Sequence, residues 1–141
     1  MSDNRLVASV ILLIISLCSS NAIAQIGTVS GVQNRQTYLP GDSLQVNEIT
    51  ATVFNNTQEP LSFRVIANWS GDSTWINLGQ RALNPFASGT LGTYSTVELA
   101  ENIPTYLCEV RLVAIRDLGQ PYETWSSVDV QTFGFIRERR K

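Results

Sequence analysis

The 141-residue chain contains no histidine, and that absence limits most of what its side chains can do. Ser-His-Asp and Cys-His nucleophilic systems need an imidazole, as do histidine-based zinc sites. The two cysteines are Cys18 and Cys108. Cys108 stands on an alternating apolar stretch with no base of the usual kind, so it reads as a small buried hydrophobe with a free thiol. Paired carboxylates are the remaining route to acid-base chemistry. Glu98 with Glu101, or Asp117 with Glu123, can meet near strand ends, but exposed acids are mostly solvated charges. Asn68, Ser70, Asp72 and Ser73 bring only one carboxylate to a calcium site that wants several oxygen ligands. No glycine loop leads from a strand into a helix to cradle phosphate. The expectation is a protein that is not an enzyme and holds no cofactor.

Binding chemistry is the alternative. N-x-[ST] occurs at Asn55-Asn56-Thr57 and at Asn68-Trp69-Ser70, which makes Asn55 and Asn68 candidate N-glycosylation sites. The first lies in a polar break and is expected to be accessible; the second stands on the polar face of a strand. In Tyr122–Phe135, Val128, Val130 and Thr132 share one face with Tyr122, whereas Trp125, Phe133 and Phe135 share the other with Glu123, Asp129 and Gln131. If the valines face the core, Trp125, Phe133 and Phe135 form a candidate binding surface, because clustered exposed aromatics mark partner or glycan contacts. The competing arrangement has a bulge near Ser126-Ser127 that turns Trp125 inward, with Phe133 and Phe135 under a neighbouring loop, as large aromatics are mostly buried. Trp69 and Trp75 flank the Ser70–Ser73 turn and are expected in the core or at its rim.

The elements that would position these residues are strands. Leu61, Phe63, Val65, Ala67 and Trp69 alternate with Ser62, Arg64, Ile66 and Asn68, and only Ile66 breaks the apolar/polar order. From Leu44 to Phe54 the apolar parity switches across Asn47-Glu48, where a β-bulge fits. Tyr106, Cys108, Val110, Leu112 and Ala114 form a third period-two face, opposite a mixed one. Weaker strands are expected at Ile26–Gln33, Trp75–Leu83, Thr90–Leu99 and Tyr122–Phe135. Turn residues separate them at Pro40-Gly41-Asp42, Ser70-Gly71-Asp72-Ser73, Ala87-Ser88-Gly89 and Leu118-Gly119-Gln120-Pro121. About seven strands without a helix predict an all-β, single-domain antiparallel sandwich. FNNTQEPLSF, Phe54 to Phe63, joins two of its strands and reads first as a hairpin connection, with Pro60 at a strand start.

The order P-G-D-S-L-x-V (Pro40 to Val46), T-A-T-V-x-N-x-T (Thr50 to Thr57) and P-L-S-F-R-V (Pro60 to Val65) resembles the opening of an immunoglobulin-like extracellular module. It is most similar to the CARDB-like group, the cell-adhesion-related domains of bacteria and archaea. Thr57 stands where that group often has glycine. The resemblance, from Tyr38 to Phe135, implies a seven-stranded immunoglobulin-like sandwich that binds or adheres at a surface, with no catalytic residues to transfer.

Whole-chain features set the compartment. MSDNR, the uncharged run from Leu6 to Leu17, and Ala22-Ile23-Ala24 have the three parts of a secretory signal peptide. The run is shorter than the roughly 20 residues a membrane-spanning helix needs. Expected boundaries are a signal peptide at 1–24, a sandwich domain at 25–136 and a basic tail at 137–141. Two other readings are lipidation of Cys18 and retention of the apolar segment as a pilin-like helix. The formal net charge is −2. Gln25 to Ile136 holds five arginines against ten acids, and RERRK adds four cations and one anion. An acidic body excludes a general nucleic-acid role, since phosphate binding needs a basic face. With only Cys108 beyond the leader, no internal disulfide forms, and core burial must supply stability.

These readings converge on an exported, periplasmic or extracellular module of the cell envelope that binds a protein or a surface glycan. Membrane association would follow only if the N-terminal segment is retained or lipidated. A filament-forming or archaellum-accessory subunit and an inhibitor of secreted proteases are the alternatives.

Overall fold

The computed structural model describes residues 26–139. They form eight strands: β1 (Gly27–Gln33), β2 (Thr37–Tyr38), β3 (Ser43–Phe54), β4 (Leu61–Trp69), β5 (Ile76–Leu83), β6 (Ser88–Leu99), β7 (Thr105–Arg116) and β8 (Thr124–Arg137). A three-stranded sheet has the order β1-β3-β6, and a five-stranded sheet has the order β2-β8-β7-β4-β5. All pairings are antiparallel except the two-residue β2, which runs parallel to the end of β8. The fold is therefore an all-β, two-sheet sandwich. The signal-peptide expectation and the last two residues of the basic tail lie outside the described residues. No helix among the described residues is long and apolar enough to cross a membrane.

The alternating residues meet between the sheets. Leu44, Val46, Ile49, Ala51 and Val53 of β3 face Phe63, Val65 and Ala67 of β4 and Cys108, Val110 and Leu112 of β7, all buried. Burying one such large aliphatic or aromatic side chain is worth about 1.5–3 kcal/mol, so this shared interior can hold the sheets together without a cross-link. The parity switch in β3 is a bulge: the register shifts between Val46 and Ile49, and Glu48 adopts φ 52°. That extra residue keeps both Val46 and Ile49 inside.

The expected turns at Pro40–Asp42, Ser70–Ser73 and Leu118–Pro121 are present, with Gly41, Gly71 and Gly119 at positive φ. The turn expected at Ala87-Ser88-Gly89 lies slightly earlier. Ala87 N–H donates to Asn84 C=O at 3.1 Å and Phe86 takes φ 58°, so Ser88 and Gly89 already belong to β6.

The largest departure is in β8. Tyr106, Cys108, Val110 and Leu112, all inward, pair with Phe135, Phe133, Gln131 and Asp129. Phe133 and Phe135 therefore point into the sandwich, and Val130 points out. The register then slips between Leu112 and Val113, leaving Val128 as the extra residue of a bulge, so that Val113 and Ile115 face Ser127 and Trp125. The bulge splits one strand into two parities. Trp125 thus shares the outer face with Val130, not with the phenylalanines.

Both sandwich corners are closed by side chains. At one, the edge N–H of Val29 in β1 donates to Asp129 Oδ2 at 2.8 Å, and Gln33 Nε2 donates to Gly134 C=O at 2.9 Å. At the other, Arg81 Nη1 donates to Thr90 C=O at 2.9 Å, and Tyr94 lies so close over Gly79 that an added Cβ would clash with its ring and hydroxyl. Three edge backbone groups, Val29 N–H, Gly134 C=O and Thr90 C=O, are thereby taken up within the domain.

Candidate binding face

The expected site residues separate into three environments. Phe135 is fully buried, 0% exposed, with its ring centroid 5.6 Å from that of Trp69. Phe133 packs against the core and is partly buried. Neither is part of an exposed surface, because the Val128 bulge sets their parity inward. Trp125 alone of the three is exposed, at 46%.

The sequons are also built into the fold. Asn55 is 0% exposed. Its Nδ2 donates toward the carbonyls of Glu59 (2.8 Å), Leu83 (3.1 Å) and Asn84 (3.2 Å), while its Oδ1 accepts from Thr57 N (3.0 Å) and Thr57 Oγ1 (2.7 Å). Both residues that define the sequon are thus spent on the connection from Phe54 to Phe63, which is a structural turn and no open loop. Asn68 is also buried, its Nδ2 donating to the carbonyls of Asp72 and Thr74. Glycosylation at either asparagine would require breaking these bonds.

Cys108 is fully buried and unpaired. Burial pushes its thiol up to about 12, with the nearby Glu98 charge adding to the rise. Glu98 itself is raised, first by burial and then by Asp72 and Glu101. No group of three or more acid or cysteine side chains among the described residues is placed to hold a metal ion.

The two outer faces differ. On the three-stranded sheet, Thr28, Thr52 and Thr90 stand in one row across β1, β3 and β6. Thr28 and Thr52 hydroxyls bond at 2.9 Å, and those of Ser30 and Thr50 at 3.1 Å, so these hydroxyls satisfy one another.

The five-stranded sheet carries the candidate site. Its register sets successive rows across β8, β7, β4 and β5: Trp125, Ile115, Ser62, Ala82; then Ser127, Val113, Arg64, Gln80; then Val130, Arg111, Ile66, Asn77; then Thr132, Glu109 and Asn68. Arg64 and Arg111 occupy adjacent rows on adjacent strands and lean opposite ways. The Arg64 guanidinium lies 4.8 Å from the Trp125 ring centroid, and that of Arg111 lies 5.1 Å from the ring of Trp75. Each such cation–π contact is worth about 0.5–1 kcal/mol at an exposed site, which biases the long side chain toward its indole. Between the diverging arginines lies a groove of about 450 Å³ with Ile66 and Val113 in its lining, ending at Trp75 and Asn77 on one side and Trp125, Ser126 and Ser127 on the other. Ile66, Val113 and Ile115 form a small apolar cluster of their own beneath it.

The two cations are not equivalent. Arg111 is paired with Glu109. Arg64 donates through Nε to Gln80 Oε1 at 2.8 Å, and through Nη2 to the same oxygen, so its side-chain partner is neutral. Of this constellation only Trp125 was legible as a binding residue. Trp75, expected in the core or at its rim, is 37% exposed and borders this groove. The signal for the others was the apolar residues on the nominally polar parity: Ile66 in β4, and Val113 and Ile115 in β7.

No protein-family model and no curated protein matches this sequence. Among solved structures, the chain is similar to the Pseudomonas fluorescens alkylpurine DNA glycosylase AlkC bound to DNA containing an abasic site analog, at 7% identity and TM-score 0.40, over 79% of this chain and 30% of that one. It is also similar to Spo0M, a sporulation control protein from Bacillus subtilis, at 9% identity and TM-score 0.35, over 82% of this chain and 50% of that one. The chain thus spans half or less of either protein's length.

Proposed function

We propose that this chain is an exported, non-enzymatic binding module of immunoglobulin-like topology that docks a cell-envelope partner on the outer face of its five-stranded sheet. The observation that carries the reading is the pair of partly exposed tryptophans, Trp75 and Trp125, each held by an arginine at opposite ends of one apolar groove. Exposed aromatics at the ends of a groove favour ligand contact, because such rigid side chains lose little freedom on binding. The exposed indoles stand on the sheet face and not on its edge strands' backbone, which makes the face the better surface.

The immunoglobulin-like part of the reading is supported by strand order and by Tyr106. This tyrosine sits at the start of β7; its hydroxyl accepts from Glu101 N at 2.6 Å and lies 3.5 Å from Leu99 C=O. Such a tyrosine corner, two residues before a core cysteine position, is a hallmark of those sandwiches. Cys108 occupies that position, alone. The CARDB-like resemblance and the leader stay part of this proposal.

The test is fractionation of the protein's own cells with intact-mass measurement, comparing wild type with a Trp75→Ala/Trp125→Ala variant. Wild type should begin at Gln25 and sediment with the envelope, and the variant should be processed identically but move to the soluble pool. An unchanged distribution of the variant refutes the docking face. A species retaining Leu6–Leu17 would instead support the anchored, filament-type subunit.

A further inference from the structure

We infer that the ligand of the Trp75–Trp125 groove is an acidic sugar, a uronic-acid-bearing oligosaccharide whose carboxylate is taken by Arg64. The inference rests on the docking face proposed above and adds the chemistry of its occupant.

Charge complementarity carries it. The body of the chain is acidic, with ten acids against five arginines between Gln25 and Ile136. The strand positions of this face reverse that balance: they hold two arginines, and Glu109 is their only carboxylate. Glu109 is already engaged with Arg111. Arg64 makes no ion pair among the described residues, and its side-chain acceptor is an amide oxygen. A guanidinium placed over an indole and bonded to an amide oxygen, yet matched to no anion, is a prepared partner for a ligand carboxylate.

The surroundings favour a sugar over an acidic peptide. The exposed parts of the two indoles offer apolar surface for the C–H face of a pyranose ring, with the buried Ile66 and Val113 backing the groove between them. Ser126, Ser127 and Asn77 bring hydroxyl and amide groups to the groove ends, where ring hydroxyls would lie. A peptide joining by strand addition would engage the outer backbone of β5 or β8, whereas the middle of the groove is made of side chains on the two inner strands, Arg64 and Ile66 of β4 and Arg111 and Val113 of β7.

The experiment is a titration of the exported protein, followed by tryptophan emission and calorimetry, with three probes: a galacturonate oligomer, its methyl ester, and an oligoglutamate of similar charge. The uronate should bind saturably and more weakly as salt rises. The ester should bind at least about tenfold more weakly, as should the uronate to Arg64→Gln, the loss expected of one charge-assisted contact. Arg64→Lys should recover part of that affinity. Equal affinity for the ester overturns the carboxylate assignment, and tighter binding of oligoglutamate overturns the sugar in favour of an acidic peptide. If no probe binds while Trp75→Ala/Trp125→Ala still releases the protein from the envelope, the ligand class is wrong and the docking face stands. If neither effect is seen, both readings fall.

Discussion

The indole Nε1 of Trp69 donates to Thr96 Oγ1 at 3.0 Å inside the sandwich, joining β4 of the five-stranded sheet to β6 of the three-stranded one. Both residues are buried, at 5% and 5% exposure. A side-chain bond between sheets is directional in a way that aliphatic packing is not, so it helps fix how the sheets align.

Removing the acceptor should therefore cost more than its size implies. Thr96→Val keeps the shape but strands the indole N–H, which costs about 1–3 kcal/mol. Thr96→Ser keeps the oxygen and loses a methyl group, so it should be the milder change. Urea denaturation of the two variants checks this, and a Thr96→Val midpoint at or above that of Thr96→Ser would show that the bond contributes little.

Asn55 leads to a second expectation. Its amide donates to carbonyls on two connections, at Glu59 and at Leu83–Asn84, and so ties the β3–β4 turn to the β5–β6 turn. Asn55→Ala leaves these acceptors unpartnered and should lose at least about 2 kcal/mol. Asn55→Asp should be no better, since it retains the acceptor for Thr57 but turns an anionic oxygen toward carbonyl oxygens. Thermal melts of both variants decide it. The same geometry implies that folded protein secreted from a glycosylating host carries no glycan mass at Asn55 or Asn68.

How much of this was legible in the chain depends on where each signal lies. β4 and β7 each carry a period-two apolar face because that face packs on the opposite sheet, and its residues were readable one strand at a time, although Ile66, Val113 and Ile115 add apolar residues on the other parity. The Glu48 bulge was readable too, since the parity of β3 changes across it. β8 was not. It carries large apolar residues on both parities, and the bulge at Val128 decides which parity goes inward; that register is set by Leu112 and Val113 on a neighbouring strand. Asn55 looked exposed because a polar residue in a turn usually is, and two of its acceptors lie 28 and 29 residues away. The groove depends on lateral register across four strands, which no single strand's pattern contains.

Cys108 should be chemically silent in the native protein. Thiolate is the reacting species, and burial with Glu98 nearby raises the thiol to about 12. At pH 8 a thiol-disulfide reagent should leave Cys108 unmodified in native protein and react fully once guanidinium unfolds the chain. Because the folded thiol is raised, the neutral form is favoured in the fold. Its stabilising contribution should persist below the ordinary thiol range and decline as pH climbs through it toward 12. Rapid native labelling at pH 8 would contradict the packing described here.

Glu98 provides the acid-side counterpart, with the same sign. Burial, and then the charges of Asp72 and Glu101, raise its carboxyl above the ordinary carboxylate value. The folded state therefore holds a proton that the unfolded chain has already released over the interval just above that value. Stability linked to Glu98 is fully present below the unfolded value and is lost as pH rises through the folded one. Replacing the ionisable group by Glu98→Gln removes that loss. The variant's melting temperature should match wild type at pH 4 and exceed it at pH 7, by a small margin because the carboxyl is largely solvated. A wild type that gains stability over Glu98→Gln between those pH values would reverse the sign and show that Glu98 is favoured in its charged form, against the acidic environment that Asp72 and Glu101 create.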